Sequence, residues 1–171
     1  PYDKECDGVD ELRRYIRAMY QDDEIVGYCI DAEEDKEKGK WRPSSKGVFG
    51  MTAGQILQSI KKHPKDIKDT IGDYNEQAGA WIRFNPLDGM GVSNDNVTAF
   101  RFALVESDSL AIEKQMALME ELKLPIVMMV HSGKKSVHAI VRIDAVNARE
   151  YRERISRSAE RFSRNAETDL V

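Results

Sequence analysis

The spacing of apolar and polar positions divides the chain into segments of different period. Residues 8–20, GVDELRRYIRAMY, place Val9, Leu12, Ile16, Met19 and Tyr20 on one stripe and predict an amphipathic helix. EIVGYCID follows as a strand, and the charged, turn-rich stretch from Glu33 to Gly47 reads as an exposed loop. TAGQILQSIKKH offers Thr52 as an N-cap, with Ile56, Leu57 and Ile60 at helical spacing and Pro64 ending the helix. KDIKDTIG gives a further short helix. GAWIRFNPLDGMG is a strand running into a Pro/Gly turn, with Trp81 and Phe84 assigned to the core.

The second half alternates more regularly. TAFRFALVE predicts a strand, and Leu110 to Leu122 a helix with Ile112, Met116, Met119 and Leu122 along its inner side. LPIVMMVHS reads as a buried strand, Gly133 with Lys134 as a hairpin turn, and KSVHAIVRI as the returning strand. A long helix from about Asn147 to Ala166 aligns Tyr151, Ile155, Ala159, Phe162 and Ala166, and TDLV opens another strand. From Thr98 onward the order is therefore β-α-β-β-α-β, the split βαβ, ferredoxin-like or RRM-like arrangement. The expected class is α+β: an RRM-like core at about 98–171 with an N-terminal α/β layer at 1–97, forming one domain of residues 1–171.

Composition narrows the setting. A chain of 171 residues with 41% hydrophobic and 33% charged residues suits a globular protein with a sizeable core. No apolar run reaches the length of a membrane span and no signal peptide opens the sequence, so no membrane partner and a cytoplasmic location are expected. Cys6 and Cys29 lack the spacing of a zinc or redox site and are assigned no chemistry. The net charge of −4 speaks against indiscriminate nucleic-acid binding. Basic charge nevertheless gathers late, with six arginines between Arg149 and Arg164 and the pair Lys134 and Lys135 in SGKKSVH. The arginine run fits a solvated helix face as well as a phosphate track.

The candidate chemistry begins with ALVESDSL. Residues two apart on a strand share a face, so Glu106 and Asp108 would stand side by side, where repulsion is relieved by a divalent cation. A capping turn ahead of the next helix, which Ser109 alone could make, is the plainer alternative. Topology weighs between them. If the third strand lies antiparallel between the first two, and the fourth flanks the first, then Glu106 with Asp108, Ser136 with His138, and Asp169 come to one rim of the sheet. Asp144 lies six residues past His138, roughly 20 Å along an extended strand, and is read as a cap for the helix near Asn147. The turn SGKKS, rich in N–H groups and ammonium charge, suits phosphate oxygens. Carboxylates, metal and a phosphate cradle together imply phosphoryl or nucleotidyl transfer by a two-metal route. His131 and His63 have no comparable context. Arg83 and Asn85 are polar groups just before a tight turn and stand as weaker candidates beside a surface role.

NPLDGMGVSNDNVTAFRFALVESDSLAIEKQMALMEELKLPIVMMVHSGKKSVHAIVRIDA resembles the primase-polymerase domains of the archaeo-eukaryotic primase superfamily, especially those of phages, plasmids and related mobile elements. The marks are the acidic pair Glu106 and Asp108, the S-x-H motif of Ser136 and His138, and a third acid, Asp169, opening a later strand. The resemblance spans about residues 80–171 and departs from the family pattern in two respects. Glu106 stands where Asp is commoner, and the chain stops before an Asn/Arg-rich segment, so a fragment of a longer protein is expected.

The resemblance implies that Glu106, Asp108 and Asp169 hold Mg²⁺ or Mn²⁺ and act in catalysis with His138. It implies that Ser136, His138, Lys135 and Lys134, with Arg83 and Asn85, bind the nucleotide. The expected activity is DNA-directed nucleotidyl transfer, with a DNA template or primer and NTP or dNTP as partners, and possible association with a helicase or replication protein. A silent RRM-like nucleic-acid-binding or accessory domain and a metal-dependent nuclease are the alternatives. SVHAIVRI lacks the aromatics that an RRM uses for base stacking.

Overall fold

Two compact units, Pro1–Thr98 and Ala99–Val171, divide the chain in a computed structural model that describes residues 7–37, 39–106, 110–131 and 137–157. The class is mixed α+β, with three small antiparallel sheets among the described residues.

In the first unit, helix α1 (Gly8–Met19) starts where Asp7 accepts a hydrogen bond from the Val9 N–H at 2.9 Å. Val9, Leu12, Ile16 and Met19 are buried along it, as the periodicity requires. Asp10 and Glu11 in its first turn and Arg17 in its last complement the helix dipole. Strand β1 (Ile25–Cys29) follows. The stretch expected as a loop is instead a hairpin, β2 (Ala32–Asp35) with β3 (Lys40–Pro43). Its strands are held by facing opposite charges rather than by apolar alternation: Glu33 opposes Arg42, with an ion pair at 3.0 Å, and Asp35 opposes Lys40.

Strand β4 (Val48–Thr52), also unforeseen, pairs with one side of β1, and β5 (Trp81–Ile82) pairs with the other. Gly47 makes the entry to β4 possible. Its φ is +75°, and a Cβ there would lie 2.2 Å from the Tyr28 carbonyl oxygen. Helix α2 (Ala53–Lys62) carries the expected cap in reciprocal form, the Gln55 N–H bonding Thr52 Oγ1 at 3.2 Å and the Thr52 N–H bonding Gln55 Oε1 at 2.8 Å. The short helix α3 (Lys68–Ile71) packs against α2.

The second unit runs β6 (Phe100–Val105), α4 (Ile112–Glu121), β7 (Ile126–His131), β8 (Val137–Ala145) and α5 (residues 148–157). The sheet order is β6-β8-β7, entirely antiparallel, with the returning strand in the middle as the topology argument expected. α4 packs on β8. The TDLV strand lies outside the described residues.

Three expectations are corrected here. Among the described residues β7 is an edge strand, not a buried one: Val127, Met129 and Val130 are exposed. An uncharged run reads alike whether a neighbour covers it or not, and here β8 pairs only one side of it. The inner stripe of α4 is Gln115, Leu118 and Met119 with Leu122 beyond its end, while Ile112 and Met116 are only half-buried. Asp144 does not cap a helix. It sits within β8 at φ +50°, where three residues from Arg142 answer to two from Phe102 in the ladder, and it pairs with Arg142 at 3.5 Å. Asn147 caps α5 instead, its Oδ1 accepting from the Arg149 and Glu150 N–H groups, each at 3.0 Å. α5 is tied down by Tyr151, whose hydroxyl donates to the Phe102 carbonyl at 2.9 Å and whose ring meets that of Phe100 at 5.2 Å.

Candidate functional site

The site grows out of strand register. β6 and β8 pair Leu104 with Ile140 and Val105 with Ala139; continuing one step past the last pair sets Glu106 opposite His138. On the other side β7 sets Val130 opposite His138. Alternation then sorts the side chains. Ala103, Val137, Ala139 and Val141, all buried, share one face. His138 belongs to the other, beside Ile140, with Leu104 at 38% and Val130 at 36% exposure on its flanks. The end of that face beside His138 is partly exposed, while Ile140 and Phe102 farther along it are buried.

His138 Nε2 lies 2.8 Å from Glu106 Oε2, with 35% and 42% of the respective side chains exposed. An imidazole N–H donates here to a carboxylate. The bond fixes the direction of the ring and leaves the second carboxylate oxygen and the ring's other nitrogen for further partners. The pair combines an oxygen donor of the kind hard divalent cations take with a group able to donate to phosphate oxygens. Among the described residues no group of three His, Cys, Asp or Glu side chains converges. Asp108, Lys134, Lys135, Ser136 and Asp169 lie outside the described residues, so Glu106 and His138 are the two predicted site residues whose meeting is seen.

Arg83 and Asn85 belong to the first unit. Arg83 is exposed, but its backbone is held firmly: its N–H donates to the Gly27 carbonyl at 2.9 Å, and its own carbonyl accepts from the hydroxyls of Tyr15, at 3.1 Å, and Tyr20. Burial pushes the Tyr15 hydroxyl far above its ordinary pKa, which keeps it a donor throughout the working pH range. Gly27 leaves room for this arrangement, since a Cβ there would meet Leu87 Cδ1 at 2.6 Å and Arg83 Cδ at 3.1 Å. Asn85 is buried.

No family model, curated protein or solved structure matches the chain.

The remaining candidates sort by their surroundings. His131 and His63 are exposed. Within α5, Arg149 pairs with Glu153 at 3.1 Å and Arg154 with Glu150 at 2.7 Å. The Val146 N–H first, and Arg154 after it, hold the Glu150 carboxyl below the ordinary range. Arg149 thus serves its own helix, as on a solvated face, while Arg154 also donates to the Ile143 carbonyl of β8. Cys29 is a buried free thiol.

One residue that sequence reasoning passed over belongs to this region. Gln115 of α4 is fully buried, its Nε2 donating to the Leu110 carbonyl at 2.7 Å and its Oε1 accepting from the Val137 N–H at 3.3 Å. The signal was a glutamine interrupting an apolar stripe. A buried amide must spend its donors and acceptors on something specific.

Proposed function

We propose that the chain is the catalytic part of a primase-polymerase, joining nucleotides on a DNA template, and that its second unit is an RRM-like βαββαβ core completed by the TDLV strand. The observation that carries this reading is the 2.8 Å approach of His138 to Glu106, just past the end of one strand and at the start of another, at a partly exposed end of a β6-β8-β7 sheet. The donor set fits the expected metal: Glu106 supplies an oxygen ligand for Mg²⁺ or Mn²⁺, and Asp108 and Asp169 would complete the acidic set. When bound, the metal supplies charge neutralisation and Lewis-acid activation of the kind phosphoryl chemistry needs.

The chain's own residues do the rest. His138, oriented by Glu106, donates to a phosphate oxygen of the incoming nucleotide, with Ser136, Lys135 and Lys134 beside it. The exposed apolar positions Leu104 and Val130 flank that point and offer a surface for a base or sugar. Sequence selectivity would come from template pairing, with protein contacts gripping mainly backbone.

The test is extension. The protein is incubated with a primed or unprimed single-stranded template, Mn²⁺, and dNTPs or NTPs, and products are sized. Products longer than the input, lost in Glu106→Ala with Asp108→Ala, are expected. Equal product from that double variant would remove the metal assignment; shortened template instead of extended product would make the site a nuclease.

A further inference from the structure

We propose that Gln115 is a positioning residue of this site, tying the start of α4 to the residue that precedes His138; the inference rests on the nucleotidyl-transfer reading for its effect on rate, though not for its effect on geometry. Glu106 is the residue after β6, and Leu110 lies two residues ahead of α4. His138 is the second residue of β8, directly after Val137. Gln115 bonds both neighbours at once. Its amide N–H fastens the Leu110 carbonyl, and its amide oxygen accepts the first N–H of β8.

One rigid, planar group therefore ties Leu110, just ahead of α4, to the first residue of β8, beside His138. It is 0% exposed, so water cannot take its place. The ladder accounts for register up to the pairs Val105 with Ala139 and His131 with Val137, and Gln115 continues the restraint where the β6 ladder stops. No hydrophobic side chain can substitute, because the task is to donate at one end and accept at the other. Groups that orient a ligating or catalytic side chain typically matter 10–100-fold to affinity or activity.

The experiment uses the whole chain with Gln115→Met, which keeps length and loses both bonds, and Gln115→Glu, which keeps both while its carboxyl is protonated. Amide exchange is read at Val137 and, as a control deeper in the strand, at Val141. In Gln115→Met, exchange at Val137 should rise about tenfold or more with Val141 little changed, and Mn²⁺-supported extension should fall about 10–100-fold in kcat with KM for the template unchanged. Gln115→Glu should regain activity, relative to the parent at the same pH, as the pH is lowered and its carboxyl becomes able to donate to Leu110.

Extension by Gln115→Met within twofold of the parent, despite an unprotected Val137, would overturn the proposal. So would loss of protection at Val141 together with Val137, with no recovery in Gln115→Glu, since that marks a merely structural residue. If the parent itself extends nothing, the enzymatic reading fails separately. The His138 ring resonances at fixed pH then decide the positioning role: Gln115→Met should displace them in the direction that Glu106→Gln does, and unmoved resonances would refute it.

Discussion

A double-mutant cycle on Glu106 and His138 separates a functional pair from a structural one. With both partners charged, two unit charges 2.8 Å apart attract by about 1.5 kcal/mol in a water-like dielectric. Both side chains are more than a third exposed, so screening and the entropy of holding them reduce the coupling to about 1 kcal/mol or less. For a protein of this size that amounts to a Tm change of about 2–4 °C. The effect expected on chemistry is far larger. Removing one preorganised donor from a reacting phosphate costs about 10²-fold in rate or more. The cycle compares the parent, Glu106→Gln, His138→Gln and the double variant by urea unfolding and by Mn²⁺-supported extension at one pH. The expected outcome is near-parental stability in all four, with the double variant no slower than the worse single one, because groups acting as a unit do not add. A coupling of about 3 kcal/mol or more, with extension rates preserved, would assign the pair to the fold and refute the reasoning.

Three further outcomes follow from the structure. Gly47→Ala must place a non-glycine residue at φ +75° with its Cβ 2.2 Å from the Tyr28 carbonyl and 2.9 Å from Cys29 Cα, so chemical denaturation should show a loss of about 2–5 kcal/mol; a change below 0.5 kcal/mol would contradict the close approach. Tyr151→Phe removes the hydroxyl that anchors α5 to the Phe102 carbonyl and should cost about 1 kcal/mol by the same measurement, with an unchanged midpoint counting against that anchor. The Asp88 carboxyl is held below its ordinary range, first by the Met90 N–H and then by the Asn96 side chain. A carboxyl lowered in the folded state stabilises above its unfolded pKa and loses that contribution as pH falls through the folded one. The Met90 amide resonance should therefore stay constant from neutral pH to about 4 and move only below it; a midpoint above 4 would disprove the arrangement.

The parts of this fold that the sequence made legible are those where apolar periodicity and topology agree. α1 declares a buried stripe and α2 a stripe with a cap at Thr52; both helices form, with Leu57 of the α2 stripe only half-buried. The meeting of Glu106 with His138 was legible for a different reason. Once β8 pairs antiparallel with both β6 and β7 and lies between them, the register leaves few places for either side chain. What stayed hidden lacks an apolar period. β2 and β3 are specified by charges facing across the ladder, and a single strand of that hairpin, read alone, looks like any polar loop. The uncharged run of β7 looks buried because hydrophobicity records what a residue tolerates, while strand order decides whether a neighbour arrives. Asp144 misled because a carboxylate before a helix suggests a cap, whereas Asn147 was three residues nearer and took that position.

Gln115 joins these two kinds of information. On sequence alone it is a polar residue on the inner side of an apolar helix, and by periodicity it counts only as a defect. In the folded unit it sits where the β6 ladder has run out, beyond the pair Val105 with Ala139, and where the backbone groups of Leu110 and Val137 would otherwise be left for an apolar neighbour. A ladder positions side chains only as far as it extends. A site placed one residue past its end, as Glu106 is, keeps room for substrate but loses the restraint of the next hydrogen bond. Some other group has to restore that restraint without filling the space. A buried amide can do so, because it holds the backbone N–H of Val137 and leaves the His138 side chain to other partners.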